Sequence, residues 1–206
     1  MSASEGDTDA TLRAAVAAEY LALADQLDTL SDAAWDTPSL CEGWRVREVV
    51  AHMTMPVRYS TEQFMAELTE CEGDFTRLSN RIASRDAELP TSTLVANLRD
   101  DTLHEWTPRG SRLSALNHAV IHGLDATVPL GLKRGAPEES VRVVLDNLTA
   151  GGAHEYFGFD IEGAELQATD LDWSFGSGAP VRGSAADLAL HICGRVLPPG
   201  RIQSEV

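Results

Sequence analysis

The sequence predicts a mainly α protein, with a helical bundle over residues 1–150 and a small α+β segment over residues 151–206. Three observations carry this expectation. Apolar residues recur at steps of three and four through most of the first 150 positions, which is the period of a helix with one buried face. Pro and Gly pairs such as Pro108 with Gly110 and Pro129 with Gly131 cut that pattern into helix-sized pieces. After Gly151-Gly152 the pattern changes: LQATDLDW alternates imperfectly, and GSGAP has the composition of a turn.

Taken in order, Leu12, Val16, Tyr20, Leu23, Leu27 and Leu30 form one face of a first helix, with Asp7, Thr8 or Asp9 as its expected cap. Residues 31–43 read as a loop, broken by Pro38 and Gly43. A second helix is expected from Trp44, with Val46, Val49, Val50, Met53 and Val57 as its apolar face. Pro56 cannot donate a hydrogen bond to the carbonyl of His52, so this helix should kink or end there, with a continuation through Phe64 and Leu68. Residues 71–90 read as loop and short helix. A third helix is expected over 91–106, a fourth over 111–128, and a fifth after Pro137, amphipathic through Val141, Val144, Leu145 and Leu148. Residues 164–183 should form strands. The chain then closes with a helix capped by Ser184 and stopped by Gly194.

At 206 residues the chain has the length of one domain, or of one domain with an appendage. A chain of this size buries roughly 70% of its unfolded surface, so a core forms without disulfide staples. The 32 acidic residues outnumber the 16 basic ones, giving a net charge of -16. That balance argues against binding nucleic acid, which needs clustered cations, and against an anionic membrane surface. No apolar run approaches the roughly 20 residues that span a bilayer. The polar, acidic start MSASEGDTDA does not read as a signal peptide. Cys41, Cys71 and Cys193 are odd in number and widely spaced, so they read as free thiols in a reducing compartment, and a cytoplasmic location is expected. Lys133 is the one lysine among the 16 basic residues, a bias that suggests a GC-rich bacterial genome.

The segment SALNHAVIHGLDATVPLGL carries the chemistry. Asp125 is its one charged residue, and a helix apolar almost all round is usually buried. Yet His118, His122 and Asp125, at i, i+4 and i+7, share one face of it. Buried polar groups need partners, and His at i and i+4 is a metal-chelating pair. The plain alternative is two histidines satisfied by backbone groups. His52, on the inner side of the second helix, can meet this pair across a bundle. The nitrogens of His52, His118 and His122 are then expected within about 4 Å of one another, and three His around one metal leave a position open for water, thiol or substrate. Asp125 is expected to accept the ring N–H of a ligand His rather than to bind the metal, the plain alternative being a bond elsewhere in the bundle.

Other candidates are weaker. His104 reads as a surface histidine, His154 as a loop residue, and His191 as a docking-face or surface residue. Cys41 lies near Trp44 without a flanking nucleophile signature and reads as a plain thiol. Neither a P-loop nor GxGxxG occurs, so no nucleotide cofactor is indicated.

Three segments carry a family resemblance. SLCEGWRVREVVAHM resembles the opening motif of the mycothiol-dependent maleylpyruvate isomerase-like proteins, within the DinB/YfiT-like superfamily of metal-binding four-helix bundles. NHAVIHGLDA is similar to the second motif, and DLDWSFGSGAPVRGSAADLALHICGR to the C-terminal segment. The resemblance implies a DinB-like four-helix bundle holding a divalent metal, commonly zinc, with His52 at the first ligand position and His122 at the last. The isomerases carry glutamate at the middle position, where this chain has His118; the site is then three-His, as in other DinB-like members. The resemblance further implies mycothiol as a thiol cofactor in the open metal position, an electrophilic small-molecule substrate, an actinobacterial source and pairing into a homodimer. The C-terminal part reads as short beside the full isomerase domain.

Three functions therefore compete. The first is a metal- and mycothiol-dependent transferase or isomerase. The second is a metal-dependent hydrolase with water in the open position. The third is a non-catalytic, stress-linked metal-binding protein. A thiol pocket distinguishes the first from the second, and a closed site marks the third.

Overall fold

The computed structural model describes residues 3–204, and they form two compact units, one up to Gly135 and one from Ala136 onward. The first unit is wholly helical. α1 (Ala3–Leu27) buries Val16, Tyr20, Leu23, Ala24 and Leu27, the face expected from their spacing. It begins before Asp7, so Asp7, Thr8 and Asp9 lie inside the helix, and Thr11 donates to the Asp7 carbonyl at 2.9 Å. The expected loop contains one helical turn, α2 (Asp32–Trp35), which buries Trp35.

α3 (Val46–Met53) follows a tightly pinned loop. Ser39 N–H and Ser39 Oγ both donate to the Trp44 carbonyl at 2.8 Å, and Gly43 takes φ +77°, where a side chain is disfavoured. Glu48 accepts from the Arg45 backbone N–H at 2.8 Å and so serves the first turn of α3. The helix ends at Thr54, two residues before Pro56, and Pro56 sits in the first turn of α4 (Met55–Arg58), where a missing N–H costs nothing. The carbonyls freed at the break are met by Arg58, whose guanidinium donates to the Ala51 and Thr54 carbonyls at 2.5 and 3.1 Å.

The expected continuation is a separate helix, α5 (Thr61–Glu70), started by a reciprocal pair: Ser60 Oγ accepts from Gln63 N–H, and Gln63 Oε1 from Ser60 N–H. Residues 71–90 hold a full helix, α6 (Phe75–Asp86), capped by Asp74. Its Leu78 and Ile82 pack with Met55, Cys71 and Phe64. The expected third helix is two, α7 (Thr91–Leu98) and α8 (Asp101–Glu105), because Asp100 caps a new start by accepting from Thr102 N–H. α9 (Arg112–Thr127) is capped by Ser111 and is buried along much of its length. α1 packs on α9 and α7, and α3 on α9, α6 and α7, which is the bundle.

The second unit begins earlier than expected: α10 (Glu138–Asn147) packs on α12 (Ala185–Ile192), so the boundary falls at Gly135 instead of near residue 150. An irregular helical turn links α10 to α11 (Ala153–Phe157). A four-stranded sheet follows, β1 (Ala164–Ala168), β2 (Ser174–Gly176), β3 (Ala179–Gly183) and β4 (Ile202–Ser204), in the order β2-β1-β3-β4. β1 and β3 are parallel, pairing buried Leu166 with buried Val181, and the other pairs are antiparallel. The strand read through Trp173 stops at Ala168. Beyond it Asp170 turns away to accept from Ala185 N–H at 2.7 Å, at the start of α12. Ser184 caps α12, and Gly194 (φ +74°) follows its end. No helix among the described residues is long and apolar enough to cross a membrane.

Candidate metal centre

α3 and α9 bring three histidines to one point inside the first unit. His52 occupies the last turn of α3, and His118 and His122 lie one turn apart on α9. One ligand atom from each falls within 4.8 Å of the others. The ring centroids are 5.3 Å (His52 to His118), 5.0 Å (His52 to His122) and 4.8 Å (His118 to His122) apart. His52 is buried, whereas His118 and His122 are partly exposed, so the cluster has a solvent side.

Each α9 histidine has a partner on its far nitrogen. Tyr20 from α1 places its hydroxyl 3.1 Å from His118 Nδ1. Asp125 Oδ2 lies 3.0 Å from His122 Nδ1. The Asp125 carboxylate accepts, which puts the His122 proton on Nδ1 and leaves its Nε2 lone pair for the centre, an assignment inferred from the partner. The Tyr20 hydroxyl can donate to or accept from His118 Nδ1, and a metal on His118 Nε2 requires the proton on Nδ1. His52 has no such partner, and its Nδ1 is buried without a hydrogen bond.

The electrostatics keep the His52 and His118 rings neutral. Burial pushes the His52 pKa down to about 3, helped by His122 and Arg58 and opposed by Asp125. Burial, with His122 and His52 adding to it, holds His118 well below the usual histidine value. Burial also raises the Tyr20 phenol, which stays protonated. Neutral imidazole is the form that ligates metal.

The donor set fits a divalent metal. His52 Nε2 and His118 Nε2 are 3.3 Å apart, close to the roughly 3.4 Å edge of a tetrahedron with metal–nitrogen bonds of about 2.1 Å. Two lone pairs facing each other at that distance repel unless a cation or a proton lies between them. A second donor group, Cys41, His122 and Asp125, adjoins the first and shares His122 with it.

Two tryptophans flank the cluster. Trp44 lies against His52, with ring centroids 5.1 Å apart, and its Nε1 donates to Asn80 Oδ1 at 2.9 Å. Trp106 lies edge-on to His118 at 5.1 Å. Sequence reasoning did not assign Tyr20, Trp44 or Trp106 to the site. Tyr20 carried no signal beyond a core position, whereas Trp44 sits in the same motif as Cys41. His104 is not a surface residue: it is buried, stacked on Tyr20, with its Nε2 3.0 Å from the Leu98 carbonyl oxygen. His154 lies in α11, outside any loop, and His191 in α12 rests edge-on against Phe159.

A helical bundle with a partly open three-histidine cluster is the class of protein that fold and geometry define. The family described as mycothiol maleylpyruvate isomerase N-terminal domain matches residues 12–127, and the chain belongs to that family. No curated protein matches the chain in sequence. Two solved structures share the fold, that of the mycothiol-dependent maleylpyruvate isomerase and that of a histidine-to-alanine mutant of it. Each is 17% identical, covers 97% of this chain and 94% of the other, and has a TM-score of 0.60. The shared fold thus spans nearly the whole isomerase chain, and the C-terminal part is not the short remnant expected from the sequence.

Proposed function

We propose that the protein binds a divalent metal, zinc by the chemistry of its donors, and uses it to run mycothiol-dependent transfer or isomerisation on a small electrophilic substrate in the cytoplasm. The observation that carries this reading is the meeting of His52, His118 and His122, with the far nitrogens of His118 and His122 held by Tyr20 and Asp125. Family membership supports the thiol, because the family's named enzyme depends on mycothiol.

His52, His118 and His122 would hold the metal through nitrogen, leaving a fourth position on the partly exposed side. Bound there, the metal supplies one thing, a lowered pKa that keeps a coordinated thiol in its nucleophilic thiolate form at neutral pH. The protein does the rest. Asp125 fixes the His122 ring and Tyr20 the His118 ring, so that both nitrogens face the centre before any ligand arrives. Three neutral ligands leave the site's positive charge undiminished, which favours an anionic sulfur over water. Trp44 and Trp106 wall the cluster with apolar surface, excluding water and offering faces for an unsaturated substrate.

Zinc-loaded protein should conjugate mycothiol to a bimane electrophile or isomerise maleylpyruvate, and His52→Ala and His122→Ala should abolish that turnover. Zinc-loaded protein that binds metal yet leaves both reactions at the uncatalysed rate overturns the thiol reading.

A further inference from the structure

We propose that Cys41 is a positioning residue for the metal centre, a thiol donor that holds Asp125 and, through it, the His122 ring. This inference rests on the metal-site reading above and extends it by one residue. Cys41 Sγ lies 3.0 Å from Asp125 Oδ2, the oxygen that also accepts from His122 Nδ1–H at 3.0 Å. The sulfur is 3.8 Å from His122 Nδ1, so the carboxylate stands as the link between the two. Asp125 is wholly buried, where a carboxylate needs donors to stay ionised.

The backbone is built to aim this thiol. Cys41 N–H donates to Ser39 Oγ at 3.1 Å, and Trp44 N–H donates to the Cys41 carbonyl at 3.0 Å. Leu40 N–H donates to the Asp125 backbone carbonyl at 3.1 Å, which ties the loop to α9 at the residue the thiol touches. The same loop delivers Trp44 against His52. One segment therefore braces both sides of the cluster, His52 by ring contact and His122 through the Cys41–Asp125 pair. A second donor on Oδ2 fixes the carboxylate rotamer, keeps the proton on His122 Nδ1 and leaves Nε2 free.

The test uses the full chain with Cys41→Ala and Cys41→Ser, and two readouts. In metal-free protein, imidazole nitrogen NMR shifts, assigned with His122→Gln, report the His122 tautomer. In cobalt titrations, affinity and the visible d–d bands report the coordination geometry. Wild type and Cys41→Ser should show a single Nδ1–H tautomer and matching cobalt spectra. Cys41→Ala should show mixed tautomers, altered bands and cobalt affinity weaker by about tenfold, as for loss of an outer hydrogen-bond partner. Cys41→Ala with wild-type tautomer, bands and affinity overturns the proposal. Cys41→Ser behaving as Cys41→Ala also overturns it, since then the sulfur and not the donated proton matters. Wild-type protein that takes up no cobalt overturns the metal reading, and the tautomer comparison still decides the role of Cys41.

Discussion

His52 Nε2 and His118 Nε2 stand 3.3 Å apart although 66 positions separate them in the chain. His52 lies in the last turn of helix α3, and His118 in the middle of helix α9. The contact brings together two rings that burial keeps neutral, so without a metal it is a hydrogen bond in which one Nε2 carries the proton, and with a metal both lone pairs turn to the ion.

His118→Ala should remove a ligand and leave two. Zinc affinity should fall by more than the 10- to 100-fold typical of losing an outer partner, and any thiol turnover should fall with it. His118→Glu should keep zinc, because carboxylate oxygen is also a zinc ligand. It should nevertheless shift the pH profile of thiol turnover upward, because an anionic ligand weakens acidification of the bound thiol. Isothermal titration with zinc and pH-dependent turnover check both variants.

Tyr20→Phe leaves His118 Nδ1 without its phenol. The unsatisfied buried nitrogen should cost about 1–2 kcal/mol of stability in the metal-free protein. Zinc affinity should drop by about tenfold as the ring loses its fixed orientation. Urea unfolding and zinc titration separate the two effects.

Arg58 closes the broken end of α3 and pairs with buried Asp86 at 2.9 Å, where Tyr59 also donates to the carboxylate. Arg58→Met removes one of the two guanidinium partners of Asp86, leaving Arg85 at 3.2 Å, and frees the carbonyls that Arg58 serves, at a cost of about 2 kcal/mol. Arg58 serves the carbonyl of Ala51, next to His52, so zinc affinity should weaken as well. Asp86→Asn with Arg58→Met should recover part of the stability, read by denaturant midpoint.

Acid should destabilise the metal-free protein through His52 and His118. Their folded pKa values lie below the ordinary histidine value, so the unfolded chain binds more protons as the pH falls. Above about pH 6.5 both rings are neutral in both states and contribute no slope. Below it, each buried ring should cost about 1.4 kcal/mol per pH unit, for His52 down to its folded pKa of about 3. His52→Gln/His118→Gln should flatten the stability curve between those limits relative to wild type, which removes the shared carboxylate contribution from the comparison.

Much of this was legible in the sequence, for physical reasons that differ by element. The i, i+4 spacing puts His118 and His122 on one face of any helix, and an apolar helix carrying them has to be buried. The period-two run located β1, and the GSGAP turn led into β3, whereas β2 (Ser174–Gly176) is not read from the sequence as a strand of its own. Periodicity states that a helix buries a face but not against what, so the amphipathic segment through Val141 and Leu148 was assigned to the bundle although it packs on α12. Tyr20 looks like any core aromatic of α1, and only its hydroxyl's distance to His118 reveals its role. The break between α7 and α8 follows from Asp100 acting as a cap, a local hydrogen bond that competes with an unbroken apolar pattern. β4 contains Ile202 as its one apolar residue and carries no alternation to read.

X-ray absorption at the zinc edge, on protein purified and loaded with one equivalent of zinc, tests the central claim most directly. The account predicts one tightly held zinc per chain with three imidazole nitrogens at about 2.1 Å, lost in His52→Ala. Protein that retains no zinc contradicts it. So does a first shell containing a protein sulfur at about 2.3 Å that vanishes in Cys41→Ala but not in His52→Ala, because the metal would then sit among Cys41, His122 and Asp125.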